Sequence, residues 1–571
     1  TQITAVGGFG LPSGVVAAPA AAPVTRSAGD DFSTTNVQEA GVDEPDIVKS
    51  DGTRIFAVAG NTLYALDARA AKPHLLGSLT LPQGTASELL LYKTKLLVLG
   101  SADGVLPGPV IARPAVYPYL PSKAVLTEVD VHDPAAMQVL RTLTVDGSYL
   151  AARQVGATAR IVVSSLPRVL PVTGGGSPIP TPTPQSIASS GVRAWLPSAV
   201  LRDRRSGRST TRALVQCRAV RHPPRFSGVG MVTILTVDLA RGLPAVDSDA
   251  LMTGSGAVYA SADALYLASQ SWYAVPLAGS SQPRPTGITT EIDKFDTSRP
   301  DSTTYEARGM VPGFLLNQWA MSEYEGNLRV AATNLPLWWN TPQQPVSETA
   351  VHVLAQRGGD LIEIGHVDGL GRGERVYAVR FMGPTGYVVT FRQVDPLYTL
   401  DLGDPTNPRV LGTLELLGYS AYLHPIGNDR LLGVGQDATP EGRLLGTRLT
   451  LFDVSNLRRP ARLDASRLGL GSSEVEYDPH AFLYWPADAL AVVPVQIVPA
   501  APAGGSQFTG AIAFHVGRNG ITELARITHP VAEAAIRRSL VVGNRLFTLS
   551  DSGVEASSLT SFADLAWIPF G

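Results

Sequence analysis

Short apolar runs, each closed by a turn, recur from Ile47 almost to Gly571. Residues 375–417 show the plan most clearly. RVYAVRF is followed by a turn and GYVVTF, then RQVDPLYTLDL, the turn GDPTNP and RVLGTLEL. Residues 419–468 repeat it with YSAYLHP, a turn, DRLLGVG and RLTLFDVSNLRRP ahead of a closing segment. The runs are too short for stable helices. Their β-branched and aromatic content suits half-buried strands instead. Four short strands per unit, repeated end to end, predict an all-β chain folded as a β-propeller of four-stranded antiparallel sheets.

The same plan can be read nine times. The first unit is IVKS, RIFAVAG, TLYALDA and HLLGSLTL over residues 47–81. The second covers 88–145, and the third starts at Tyr149 and resumes at residues 230–239. The later ones cover 257–310, 315–366, 375–417, 419–468, 473–526 and 536–568. Eight blades are expected, with nine left open, because one unit can be shared between the two ends to close the ring. Closure matters because an open ring exposes strand edges. Strands near Ile47–Val58 and Leu540–Leu549 should therefore lie in the same or adjacent blades, with residues 562–570 packed on the ring. His529 to Arg538 is the best helical stretch, at about two turns.

Composition changes this picture in two places. Residues 1–30 are rich in Ala, Pro, Gly and Ser and read as a flexible linker before a single closed propeller over 31–571. Residues 172–190 are Pro, Gly, Thr and Ser around isolated apolar residues. They run into a stretch with nine arginines, from Arg193 to Arg225, against Asp203 alone. The whole region, about 172–228, is expected to be a disordered, basic insertion. It has too little apolar periodicity for an amphipathic membrane helix.

The totals narrow the function classes. Lys+Arg are 46 and Asp+Glu 49, a formal charge of −3, so no basic excess points to nucleic acid. Mean hydropathy is +0.10, yet no uncharged apolar run is long enough for a spanning helix. A single cysteine, Cys217, excludes an intramolecular disulfide framework and a cysteine-rich metal site.

Candidate chemistry is sparse. His424, Asp478, His480 and His529 stand at strand ends in late units, where propeller blades converge on a channel. Imidazoles with a carboxylate suit zinc or another transition metal, so these four are the candidate metal ligands. The competing reading gives each imidazole a local hydrogen bond. Asp43, Glu44, Asp46 and Asp51 form the densest acidic cluster, but without calcium-loop spacing they read as turn caps. Asp401, Asp404 and Asp453 read as Asx-turns joining outer strands, with Arg392 paired either with Asp395 or with the adjacent blade. Asn317, Trp319, Glu323, Tyr324 and Glu325, with Trp338 and Trp339, could stack on a sugar, and core packing explains them as well. Gly369, Gly371 and Gly373 precede a strand, which makes them a loop and not a phosphate cradle. No nucleophile elbow or zinc-protease helix is present, so the catalytic residues are unknown and no cofactor is assigned.

Several long motifs carry a family likeness. FSTTNVQEAGVDEPDIVKSDG at 32–52 resembles the opening of a secreted bacterial and archaeal beta-propeller-domain family, distantly related to WD-40 repeats. The likeness continues through DGSYLAAR, TTEIDKF, VPGFLLNQWAMSEYEGNLRVAATN, the whole of 374–412, YLHP, LFDVSN and RSLVVGNRLFTLS. The resemblance implies an exported propeller and brings no catalytic residues with it. One departure is visible: Asp478-Pro479-His480 stands before AFL where the family usually shows Asp-His-Lys. The basic insert has no recognised counterpart.

The expected function is a secreted or surface-associated binding or scaffolding module, monomeric, with a protein or polysaccharide partner at the cell surface. Its binding loops are expected at 106–122, 172–228, 334–348 and 499–508. The alternative is a hydrolase or metal-dependent enzyme with its site at the channel mouth.

Overall fold

In the computed structural model, the residues described are 31–82, 84–102, 122–168, 184–223, 228–254, 256–275, 284–334, 346–392, 394–498, 507–531 and 533–571. Their strands form eight hydrogen-bonded sheets. One of these has eight strands, and its halves meet through a single parallel pair, Arg308 with Asp360. Eight is thus the number of sheets. Among the described residues the four-stranded repeat occurs nine times, as blades one to nine over 48–80, 85–146, 148–251, 257–312, 321–370, 375–417, 419–469, 471–527 and 538–569. The expected loops at 106–122, 334–348 and 499–508 fall largely outside the described residues.

Within a blade the first strand lies innermost and the fourth is the most exposed. In blade one the first strand Val48–Ser50 and the second, Arg54–Ala59, are largely buried, whereas His74–Thr80 alternates between exposed and half-buried. The turn into the fourth strand is set by aspartate. Asp67, Asp130, Asp238, Asp296, Asp401 and Asp453 each end a third strand and accept the amide two residues on. This bond fixes an Asx-turn, as read from the sequence for Asp401 and Asp453. Asp404 does the same for Thr406 in the next turn.

That loop also locks blade to blade. A Cβ on Gly412, in the fourth strand of blade six, would stand 2.4 Å from the Leu457 carbonyl of blade seven; Gly77 meets the Pro134 carbonyl of blade two at the same distance. Only a residue without a side chain lets the neighbouring loop approach so closely. The core is a chain of such interblade seams. One cluster joins Leu90 and Leu143 of blade two to Ile161 and Leu235 of blade three. Another joins Leu431 and Phe452 of blade seven to Val389 of blade six.

The ring closes without a shared blade. Val48, Ile55 and Leu66 of blade one pack in one cluster with Leu540, Phe547 and Ile568 of blade nine. Phe570 stacks on Tyr64 at 4.0 Å between ring centres, and the Tyr64 hydroxyl donates to the Gly571 carbonyl. The two ends are therefore adjacent, as ring closure required.

Two sequence expectations need correction. The described residues of 529–537 form no helix: Glu533 takes a left-handed φ of 60°, and the strand Arg538–Val542 starts directly after. Within the basic insert, Ser198–Asp203 pairs with the outer strand of blade two, and Ser209–Ala213 pairs with Ser198–Asp203. Ala199 and Leu201 anchor this hairpin by packing into the seam with blade three. An arginine-rich composition hid that short alternation.

Candidate functional site

Residues 32–47 have too few apolar residues in period to form a strand, and they form none beyond isolated bridges. They cross the mouth of the channel and bond to the inner strands in turn. Ser33 exchanges two hydrogen bonds with Val541 of blade nine. Asn36 donates to the Tyr422 hydroxyl of blade seven and the Pro479 carbonyl of blade eight, both at 2.8 Å. Gln38 donates to the Met321 carbonyl of blade five at 2.8 Å, and Glu39 accepts from the Tyr259 hydroxyl of blade four at 2.8 Å. Asp43 pairs with Gln154 of blade three and Asp46 with Leu89 of blade two through the backbone. The segment, itself buried at Ser33, Asn36, Val42, Glu44 and Asp46, plugs the ring and then enters blade one.

Charge is concentrated under the plug. Arg538, the first residue of blade nine, is 3% exposed. Its guanidinium donates to Asp46 at 2.7 Å, Glu474 at 3.0 Å and Asp478 at 2.5 Å. His480 reaches Glu44 through Nε2 and Asp478 through Nδ1, both at 3.1 Å. Burial opposes the charged forms of Arg538, Asp478, Glu44 and His480, and for these four the opposite charges outweigh it, whereas burial prevails at Glu474 and raises it. Asp478 is held well below the usual carboxylate range by Arg538 and His480, and Glu44 by Arg153 and His480. His480 is raised well above 6.5 by Asp478 and Glu44 despite its burial. Gln318 ties the cluster to blade three, donating to Glu44 at 2.9 Å and accepting from Arg153 at 2.6 Å.

Two groups at the channel keep unusual states. Glu88, in the first strand of blade two, is pushed up to about 7 by burial and by the charges of Asp46 and Asp478, although the Tyr149 hydroxyl donates to it at 2.7 Å. Arg380 of blade six lies over the Trp319 ring at 4.7 Å. It lines a cavity of about 10 Å³ with Gln38, Glu39 and Ser322, room for about one water molecule.

The four predicted metal ligands fall in three surroundings. Asp478 and His480 are neighbours in the cluster just described. His424 is buried with Phe482 and Tyr484, and its Nδ1 meets the Tyr422 hydroxyl at 3.0 Å; burial lowers it to about 3. His529 packs on Trp567 and bonds Ser550 and Thr548, and burial lowers it to about 4. An imidazole that donates from both nitrogens, as protonated His480 does, has no lone pair left for a cation. Among the described residues, no group of three or more His, Cys, Asp or Glu is placed to hold a metal ion.

The other candidates also separate. Asp43 pairs with Lys49 at 2.7 Å and Asp51 with Arg54 at 2.7 Å, while Glu44 and Asp46 face different partners in the channel. Asn317 caps the turn at Trp319, and the buried Trp319 packs edge-on against Tyr422; Glu323 accepts from Ser261 at 2.6 Å. This patch is structural, and Trp338 and Trp339 lie outside the described residues. Arg538, Arg380, Arg153 and Glu88 were not singled out from the sequence. Each is a charged residue in an otherwise apolar first strand, in RSLVV, YAVRF, LAARQV and SELLLY, Arg538 opening its strand. That charge in the first strand of four units was the available signal.

A comparison with known families agrees with this architecture. A family model described as a beta propeller domain matches residues 32–562, so the match begins at the plug and ends in blade nine. A protein of Methanocaldococcus jannaschii described as uncharacterized is 37% identical over 242 residues, 42% of this chain and 35% of its own length. An uncharacterized protein of Archaeoglobus fulgidus is 28% identical over 553 residues, covering 83% of this chain and 77% of its own. The chain thus spans about a third of the length of the first of these curated relatives. Among solved structures, dipeptidyl peptidase 4 of Porphyromonas gingivalis aligns with a TM-score of 0.41 at 10% identity, over 93% of this chain and 64% of its own. A Lactobacillus plantarum protein aligns at 0.31 and 10% identity, over 54% and 82%. Scores this low carry no argument. The family match covers nearly the whole chain, and the chain belongs to the beta propeller domain family.

Proposed function

We propose that this beta propeller family member is a binding or scaffolding module that works outside the cytoplasm, in association with the cell surface. One observation carries the reading. The polar groups of the inner strands, where a propeller would gather a channel site, bond to the plug and to one another. Binding is then left to the rim and the loops, where repeat folds commonly present it. The likeness of 32–52 to an exported family supports the location, and no helix among the described residues is long and apolar enough to cross a membrane. The test is protease treatment of intact cells expressing the chain, followed by cross-linking on the same cells. Degradation before lysis and a reproducible cross-linked partner are expected. Protection until lysis would reject the location, and a chain that cross-links to nothing would reject the module.

A hydrolase at the channel mouth is the second reading, favoured by Glu88 alone. A carboxyl poised near neutrality beside Asp478 and His480 has the character of a general acid. Screening generic ester and glycoside substrates with the wild type and Glu88→Gln tests it. Turnover lost in the variant would support the enzyme, and equal rates would remove it.

A further inference from the structure

We infer that the outer edge of the strand Ser209–Ala213, with the groove beside it, accepts an extended acidic polypeptide as an added strand. The inference rests on the binding-module reading and names the class of partner. Three observations carry it. First, this strand ends the six-stranded sheet of blade two, and among the described residues its backbone pairs with Ser198–Asp203 only. The Asp203 amide donates to the Arg208 carbonyl and the Leu214 amide to the Pro197 carbonyl. In an antiparallel ladder these bonds alternate along the strand, so Ser209, Thr211 and Ala213 turn their backbone groups outward. All five residues of the strand are exposed. A strand edge left this way is a template for another chain.

Second, a groove of about 400 Å³ runs along this edge, between blade two and Val246, Asp247 and Ser248 of blade three. Leu143, Leu214 and Leu235 are among its lining residues, but the surface it offers is mainly polar, which suits the acidic side chains of an added strand. Asp247, the acid in its wall, accepts the Thr303 amide at 2.9 Å.

Third, basic charge predominates around the edge. Arg202, Arg204, Arg205, Arg208, Arg212 and Arg218 are exposed. The nearby Asp203 is engaged by Ser206 and Arg141. Arg212 and Arg218 line the groove itself. Guanidinium groups pair bidentately with carboxylates, so a partner with acidic side chains at alternate positions meets arginines and free backbone groups together. A polysaccharide or a lipid headgroup would use the charge and leave the ladder groups unpaired.

The test is fluorescence anisotropy of the full chain with a labelled peptide of alternating Glu and Val. We expect salt-sensitive binding, weakened at least about tenfold by Arg208→Ala with Arg212→Ala and Arg218→Ala. The same peptide methylated on alternate backbone amides should lose binding to a similar extent, a readout that needs no folded variant. Equal binding of the methylated peptide would overturn strand addition, as would equal or tighter binding of alginate or of vesicles containing an anionic phospholipid. No binding of any probe would mean that the arginines guard the edge against pairing. Those failures leave the surface-module reading standing, because it fails on the intact-cell experiment.

Discussion

The channel and the rim of blade two are the two charge-rich regions of this chain, and they hold charge in opposite ways. Under the plug, Arg538 is enclosed by three carboxylates from distant parts of the sequence, and His480 by the distant Glu44 and its near neighbour Asp478. On the rim, arginines of one short insert stand exposed beside a single aspartate. A buried charge without its partners is costly, so the channel charges serve the fold. An exposed charge costs little and stays free to meet a partner. Abundance of charged residues therefore does not separate scaffold from surface; the partners do.

Mutation should break this contrast cleanly. Arg538→Met strips Asp46, Glu474 and Asp478 of their shared cation. Loss of one member of a buried set costs about 3–5 kcal/mol, and we expect a drop of that size in urea denaturation. Next comes the seam between blades six and seven. Gly412→Ala sets a Cβ 2.4 Å from the Leu457 carbonyl, and overpacking of this kind costs about 1–3 kcal/mol. A variant as stable as wild type would show that the Asx loop can yield.

The pH dependence sharpens the channel side. Burial raises Glu88 from 4.5 to about 7, so the folded state holds a proton that the unfolded state releases. Stability should fall as pH rises from 4.5 to 7, with the full cost present above 7. Glu88→Gln should match wild type near pH 5 and exceed it near pH 8 by about 1–2 kcal/mol, read from melting curves at both pH values. His480 acts in the same direction. Burial opposes its charge, but Asp478 and Glu44 raise it above 6.5; its contribution is full below 6.5 and lost as pH climbs through the raised value. Asp478 and Glu44 are lowered, so their contribution holds above the ordinary carboxylate range and fades in acid. A His480→Gln variant should flatten the alkaline decline, and an unchanged slope would assign that decline to other groups.

The smallest effect belongs to the rim. Arg208→Ala with Arg212→Ala should change stability by no more than about 0.5 kcal/mol in the same denaturation assay, since both side chains are exposed. A large loss would show that the insert supports blade two.

Strand periodicity and turn chemistry are local, and so they could be read directly. Asp401 and Asp453 were legible as Asx-turns because each bonds an amide two residues away. The closeness of the two ends was legible too, because a ring must bury its edges. The channel was not. Asn36 lies 386 residues from Tyr422, and Asp46 lies 492 residues from Arg538. Asp478 and His480 looked like metal ligands beside His424 and His529 until tertiary structure gave them Arg538 and Glu44 instead. Residues 32–47 carried part of the opening family motif, yet their role as a plug depends on seven blades arriving around them. Sequence alone determined the repeated four-stranded unit, because a strand and its turn are set within a few residues. Tertiary structure decided which charges are paired and which are free, because electrostatic partnership depends on distance in space, and closing the ring sets that distance.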